Sequence, residues 1–319
     1  MRVVVAGGAG FLGSHLCDRL LSRGDEVIAL DDLSTGVAQN ILHNKKNPAF
    51  LFVQTDVSLE VRIDGSIDAV VNLASPASPL AYLSRPLQTL SVGSEGTRRL
   101  LELAERNDAR FIQASTSEVY GDPLIHPQRE DYWGNVNPIG PRSVYDEAKR
   151  FAEALVMAHY RTNAANVGIA RIFNTYGPRL VPSDGRVVSN FIVQALHGDP
   201  LTVYGDGLQT RSLCYVSDMI SGLLALLDSN VVGPVNLGNP TEVTILELAK
   251  RVIEVTNSSS LIEYRFLPDN DPKRRKPDIN LAEELLLWTP TVSLDAGLEN
   301  TVRYYKEENR RGSTSPWND

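Results

Sequence analysis

In the stretch SVYDEAKRFAE, Tyr145 and Lys149 stand four residues apart in a helical pattern, so their side chains share one helix face. A phenol ordinarily ionises near pH 10 and is a poor base at neutral pH. An ammonium beside it favours the phenolate, and a second nearby cation would favour it further. A shift of about three units needs about 4 kcal/mol of differential interaction, within reach of two cations in a partly dry site. Such a phenolate could take a hydroxyl proton while hydride leaves the same carbon. Thr116, in STSEVYG, could hydrogen-bond the reacting oxygen. Taken alone, Tyr-x-x-x-Lys occurs often by chance and reads better as an ordinary surface pair, so the elements around it must decide.

The N-terminal elements supply a site for the hydride acceptor. RVVVA is a β-branched run suited to a strand covered on both faces. GGAGFLG follows, with Gly7, Gly10 and Gly13 spaced G-x-x-G-x-x-G, and Leu12, Leu16, Leu20 and Leu21 then recur at helical spacing up to a stop at Gly24. The first glycine allows a tight turn, the second a close approach of backbone to a pyrophosphate, and the third close packing of helix on strand. Free N–H groups at the helix start suit phosphate. EVIAL then makes a second strand ending in Asp31 and Asp32, where an acid can bond the adenosine ribose. Two acids would repel a 2′-phosphate and no arginine follows directly, so NAD is favoured over NADP. The expected cofactor-binding set is Gly7, Gly10, Phe11, Leu12, Gly13, Asp31, Asp32, Ser34, Thr35, Gly36, Asp56, Val57, Leu73, Ala74 and Ser75, with Tyr145 and Lys149.

Further strands are read at AFLFVQTDV, DAVVN, ARFIQAS and VGIARIFNTYGP, with helices near 86–107 and 143–162. Alternating strands and helices predict an α/β fold, a Rossmann-type doubly wound parallel sheet with ligands at the strand carboxyl ends. After Gly177 short segments dominate, with helices near 187–197, 217–228, 244–256 and 293–306. The expected organisation is an NAD-binding domain over 1–176, rejoined by 211–238. A smaller substrate domain takes 177–210 and 239–312, and 313–319 is a flexible tail.

Composition limits the alternatives. The 319 residues, 42% hydrophobic, suffice for a large core. A net charge of −8 without a basic stripe argues against nucleic acid as a partner. GLLALL is too short an apolar run to span a bilayer, no signal peptide is expected because the chain reads at once as a buried strand, and Cys17 and Cys214 look like small core residues. A cytoplasmic protein without membrane attachment is expected. The histidines, His126 among them, show no metal-ligand spacing.

GGAGFLG, YDEAK and the strand-end Thr116 resemble the extended short-chain dehydrogenases that act on nucleotide sugars. Longer stretches, in the expected order and covering most of the chain, resemble the UDP-glucuronate decarboxylases: NLASPASP, ASTSEVYGDP, HPQREDYWGNVNPIGPRSVYDEAKR, RIFNTYGPR, DGRVVSNFI, LTVYGDGLQTRS and RRKPDI. VGSEGT at 92–97 departs from the group, which more often has Asn-Val before the final Gly-Thr. The resemblance implies decarboxylation of UDP-glucuronate to UDP-xylose through a C4-keto sugar, with NAD regenerated within the cycle. A 4,6-dehydratase or 4-epimerase is the alternative, and a non-catalytic NAD-binding sensor or scaffold is a reading of another class.

Position 117 separates the first two. Dehydratases carry Asp-Glu in this loop, whereas Ser117 and Glu118 stand here, and serine is a poor acid for expelling hydroxide. By resemblance Glu118 orients the sugar or handles a proton, and otherwise it is a solvated loop acid. Arg275 matches an arginine that reaches the active site and would suit the C6 carboxylate; the bland reading makes it part of the solvated run Lys273 to Lys276. Arg186 and Arg211 match diphosphate contacts, or pair with acids. Asn174 matches a sugar or phosphate ligand, Tyr204 lies near the uracil, Gln209 joins the substrate set, and Tyr82 touches the carboxylate or only packs. Relatives pair through the helices near 86–107 and 143–162, implying a homodimer. Val144, Ala148, Phe151, Ala152 and Leu155 suit such a face but could equally meet the sheet.

Overall fold

A computed structural model describes residues 1–59, 61–266 and 275–311. Lys273, Arg274 and the tail expected at 313–319 lie outside the described residues. Seven parallel strands form the main sheet: β1 (Arg2–Ala6), β2 (Glu26–Asp31), β3 (Phe50–Gln54), β4 (Ala69–Asn72), β5 (Arg110–Thr116), β6 (Val167–Ile172) and β11 (Val235–Leu237). Their order is β11-β6-β5-β4-β1-β2-β3, with Val4 opposite both Ile28 and Val70. The order reverses between β1 and β4, so a crevice opens beyond their carboxyl ends. Residues 3–6, 69–72 and 110–116 are buried throughout, which explains their apolar runs without alternation.

α1 (Phe11–Ser22) and α7 (Val216–Leu227) cover one face of the sheet through Leu16, Leu20, Met219 and Leu223. α4 (Thr97–Arg106) and α5 (Ser143–Asn163) cover the other through Leu100, Leu101 and Val156. The helix expected at 86–107 is divided. α2 (Pro79–Ser84) is followed by α3 (Pro86–Ser91), then by a π-helical turn at Val92–Gly96. The turn coincides with the unusual VGSEG. A Cβ on Gly93 would stand 2.7 Å from Ala148 Cβ, so the missing side chain lets this segment press against α5.

The smaller part has its own core. α6 (Val187–His197), α8 (Ile245–Thr256) and α10 (Leu294–Arg311) pack around β8 (Leu201–Tyr204) through Phe191, Leu201, Leu248 and Leu298. Thr244 and Glu247 form a reciprocal capping box that starts α8. Three short ladders frame this part. β8 pairs in parallel with β13 (Ile262–Arg265), β7 (Thr175–Tyr176) pairs with β10 (Cys214–Tyr215), and β9 (Thr210–Ser212) runs antiparallel to β12 (Glu242–Thr244). α9 (Asn280–Leu286) was not foreseen. Its Ala282, with Ile279 and Trp288, packs into the core beneath α7 rather than into that of the smaller part. Trp288 Nε1 donates to Asp218 O and Ser221 Oγ, which holds the indole there.

Candidate active site

One cavity of about 630 Å³ runs from the β1–α1 turn to the lip formed by Tyr204 and Arg265. At its first end Gly7 has φ +76°, and a Cβ on Gly13 would lie 2.0 Å from Gly7 O, so both glycines are required by the turn itself. Gly10 differs. A Cβ there would meet only Gly7 O, at 3.1 Å, leaving open space of the kind a pyrophosphate needs. α1 begins with no side-chain cap and no acid in its first turn, so the N–H groups at Phe11 and Leu12 are left to an anion. Asp31 Oδ2 accepts from Ala9 N–H at 3.0 Å and Oδ1 from Leu33 N–H at 2.9 Å, while Asp32 Oδ2 accepts from Gln88 Nε2 at 3.0 Å. Asp32 Oδ1 is taken by the N–H and Oγ of Ser34, whereas Asp32 Oδ2, with Gln88 as its donor, keeps a lone pair for a ribose hydroxyl. Ser34, Thr35, Gly36, Asp56, Val57, Leu73, Ala74 and Ser75 line the same end. These residues fit a dinucleotide.

The centre is built by β5 and α5. Lys149 Nζ lies 5.8 Å from the Tyr145 ring centre and donates to Ala114 O at 2.9 Å. Thr116 borders the phenol, and its Oγ1 accepts from Glu118 N–H at 3.2 Å. Lys149 was expected to draw the phenol down. In the protein alone burial wins: it pushes Tyr145 up to about 12, opposed by a hydrogen bond from Thr116, and pushes Lys149 down to about 8. Tyr82 stacks on Tyr145 with centroids 5.1 Å apart and planes 10° apart. Its buried hydroxyl has no hydrogen-bond partner among the described residues.

Beyond Ser117 lies a cluster of charge. Glu118 Oε2 accepts from Arg142 Nη2 at 2.6 Å, and Oε1 accepts from Arg275 Nη1. Burial alone would raise the Glu118 carboxyl, but the two guanidinium charges outweigh it and hold it at about 2. Arg275 is 5% exposed, so it is no part of a solvated run. Asp146 lies behind this cluster. Burial and the Glu118 charge raise its carboxyl to about 7. With its carboxyl near 7, Asp146 is only partly ionised at neutral pH, so two cations face one full anion and part of a second.

The structure brings every sequence-predicted site residue to this cavity, including Asn174, Arg186, Tyr204, Gln209 and Arg211 at the far end. Arg186 Nε is 3.2 Å from Asp184, so its pairing with an acid and its place in the cavity hold together. Gln209 Nε2 donates to Tyr204 O at 2.8 Å and steadies that lip. Arg142, Gln88, Asp184 and Arg265 also line it and were not anticipated. Arg142 was within reach of spacing, since it precedes Tyr145 by one helical turn. The others depend on long-range packing.

Residues 3–238 match the NAD dependent epimerase/dehydratase family. The chain is 54% identical to UDP-glucuronic acid decarboxylase 2 of Arabidopsis thaliana over 96% of its length and 68% of that protein. It is 50% identical to UDP-glucuronic acid decarboxylase 1 of Danio rerio over 96% of its length and 73% of that protein. Among solved structures, UDP-glucuronic acid 4-epimerase from Bacillus cereus, in complex with UDP-glucuronic acid and NAD, superposes with a TM-score of 0.84. It is 30% identical, over 96% of this chain and 99% of that one. A glycine cradle, an acid-ended second strand and a buried Tyr–Lys pair in one cavity thus agree with the matches, and the chain belongs to the NAD dependent epimerase/dehydratase family.

Proposed function

We propose that this chain converts UDP-glucuronate to UDP-xylose and CO₂ through a C4-keto sugar, with NAD regenerated in the same cycle. The observation that carries the reading is the placement of Arg142 and Arg275 against one internal acid beside Tyr145, a surplus of positive charge suited to a substrate carboxylate. Relatives about 50% identical that are named UDP-glucuronic acid decarboxylases support it.

Tyr145, once ionised, takes the proton of the C4 hydroxyl, and Thr116 hydrogen-bonds the same oxygen. NAD held by the glycine turn, Asp31 and Asp32 would supply a positive charge to this end of the cavity and the capacity to accept a hydride from C4 and give it back. The C6 carboxylate stands β to the resulting ketone. When the C5–C6 bond breaks, its electron pair passes into an enolate whose oxygen is held by Tyr145 and Thr116. A proton added at C5 completes the loss of CO₂, so one proton is consumed overall. Ser117 need not act as an acid, because CO₂ departs without protonation. Arg275 and Arg142 share the incoming carboxylate with Glu118, which orients the sugar or handles the proton at C5. Arg186, Arg211 and Asn174 hold the diphosphate and sugar, and Tyr204 and Gln209 the base.

We also assign a homodimer formed through α3, α4 and α5, the helices near 86–107 and 143–162. Leu87, Leu90 and Phe151 are exposed there, whereas Ala148 and Ala152 are buried within the chain, so the face is narrower than expected. A cytoplasmic location suits two buried thiols that stay unpaired. Among the described residues no helix is long and apolar enough to cross a membrane.

The test incubates purified protein with NAD and UDP-glucuronate. Release of CO₂ with a UDP-pentose is expected, and UDP-galacturonate as the product would overturn the decarboxylase reading.

A further inference from the structure

Gln128 is wholly buried, yet it lines no part of the cavity. Its Oε1 accepts from Lys276 N–H at 2.8 Å, and its own N–H donates to Lys276 O at 2.8 Å. Nε2 donates to Ile125 O at 2.8 Å, and the Gln128 carbonyl accepts from Asp278 N–H at 2.8 Å. Both backbone polar groups of Lys276, the residue after Arg275, therefore end on one glutamine. Asn236 Nδ2 ties the two segments together, donating to Gln128 O and Asp278 O at 3.0 Å each, and its Oδ1 accepts from Tyr120 Oη at 2.7 Å. Asn236 lies on β11, so the brace is anchored to the edge of the main sheet.

Arg275 needs such a brace. Among the described residues its Nε is buried without a hydrogen-bond partner and its Nη2 reaches only Gly121 O, at 3.4 Å. Apart from the Glu118 contact, its side chain does little to fix its own direction. The backbone must do so, and only a side chain with a donor and an acceptor at this reach satisfies both Lys276 N–H and Ile125 O.

We infer that Gln128 is a positioning residue for the carboxylate end of the substrate, holding Arg275 in place before any ligand arrives. The inference rests on the reading of Arg275 as a partner of the sugar carboxylate. The test measures binding of UDP-glucuronate and of UDP-xylose, which lacks the carboxylate, to the NAD-loaded Tyr145→Phe enzyme by calorimetry. Adding Gln128→Met should weaken UDP-glucuronate roughly 10- to 100-fold while UDP-xylose changes by less than about twofold. In an Arg275→Ala background Gln128→Met should add no further loss for UDP-glucuronate. Equal weakening of both ligands, or a full additional loss without Arg275, would make Gln128 merely structural and overturn the inference.

Hydrogen exchange on the unsubstituted enzyme gives an independent reading, should Gln128→Met fail to fold or the carboxylate assignment fail. The Lys276 and Asp278 amides should exchange slowly without ligand. Fast exchange that slows only when UDP-glucuronate is added would show a site assembled by the substrate, and the brace would be refuted.

Discussion

The two ends of the cavity are built in opposite ways. The dinucleotide end is built mainly from the first 36 residues, β1, α1, β2 and the turn after it, joined by Asp56, Val57 and Leu73 to Ser75 from the ends of the neighbouring strands. The carboxylate end unites Glu118 with Arg142, 24 positions on, and with Arg275, 157 positions on. The first is a local motif with little loop-closure entropy to overcome; the second exists only once the whole chain has folded. Backbone shape carries the first, through glycines and an uncapped helix, and charge carries the second.

Substitutions sharpen this contrast. The largest effect should come where the two ends meet. Tyr145→Phe should lower kcat about 10³-fold or more while NAD still binds, read by steady-state rates and titration. Turnover within tenfold of the parent would remove Tyr145 as the base. At the charged end, Arg275→Ala should lower kcat/KM for UDP-glucuronate about 100-fold, and unchanged kinetics would break the carboxylate assignment.

Acid titration probes the same cluster. Glu118 is held at about 2, below its ordinary 4.5, so its ion pairs stabilise the fold fully above pH 4.5. That contribution, about 3 kcal/mol in order of magnitude, is lost as the pH falls from 4.5 toward 2. Glu118→Gln should flatten the stability curve in that window, measured by urea unfolding, and an unaltered slope would count against the ion pairs.

At the dinucleotide end the smallest effects should separate two glycines. Gly13→Ala forces a Cβ toward Gly7 O and should destabilise the fold by about 1–3 kcal/mol. Gly10→Ala meets far less protein and should leave the melting temperature nearly unchanged while weakening NAD at least about tenfold. Equal loss of stability in both would mean that Gly10 serves packing rather than ligand.

The alternation of strands and helices, the glycine cradle and the Tyr145–Lys149 pair were legible because each rests on a period or spacing within one element. The π turn at Val92–Gly96 was not, since it depends on how closely Gly93 approaches Ala148. The state of the phenol in the protein alone was not legible for a related reason. Spacing shows that Lys149 is near, but only the packed structure shows that burial outweighs it and moves Tyr145 upward. Arg275 could be matched to a motif, yet its burial, its pairing with Glu118 and the Gln128 brace are properties of the folded chain.

The sequence by itself determined the sheet, its cofactor turn and the identity of the groups that could move a proton, because backbone geometry and helical periodicity act between near neighbours. Tertiary structure alone decided which charges face one another and how much water they keep. Both depend on contacts between residues far apart in the chain, and in a buried site those contacts set the energy of every ionised group.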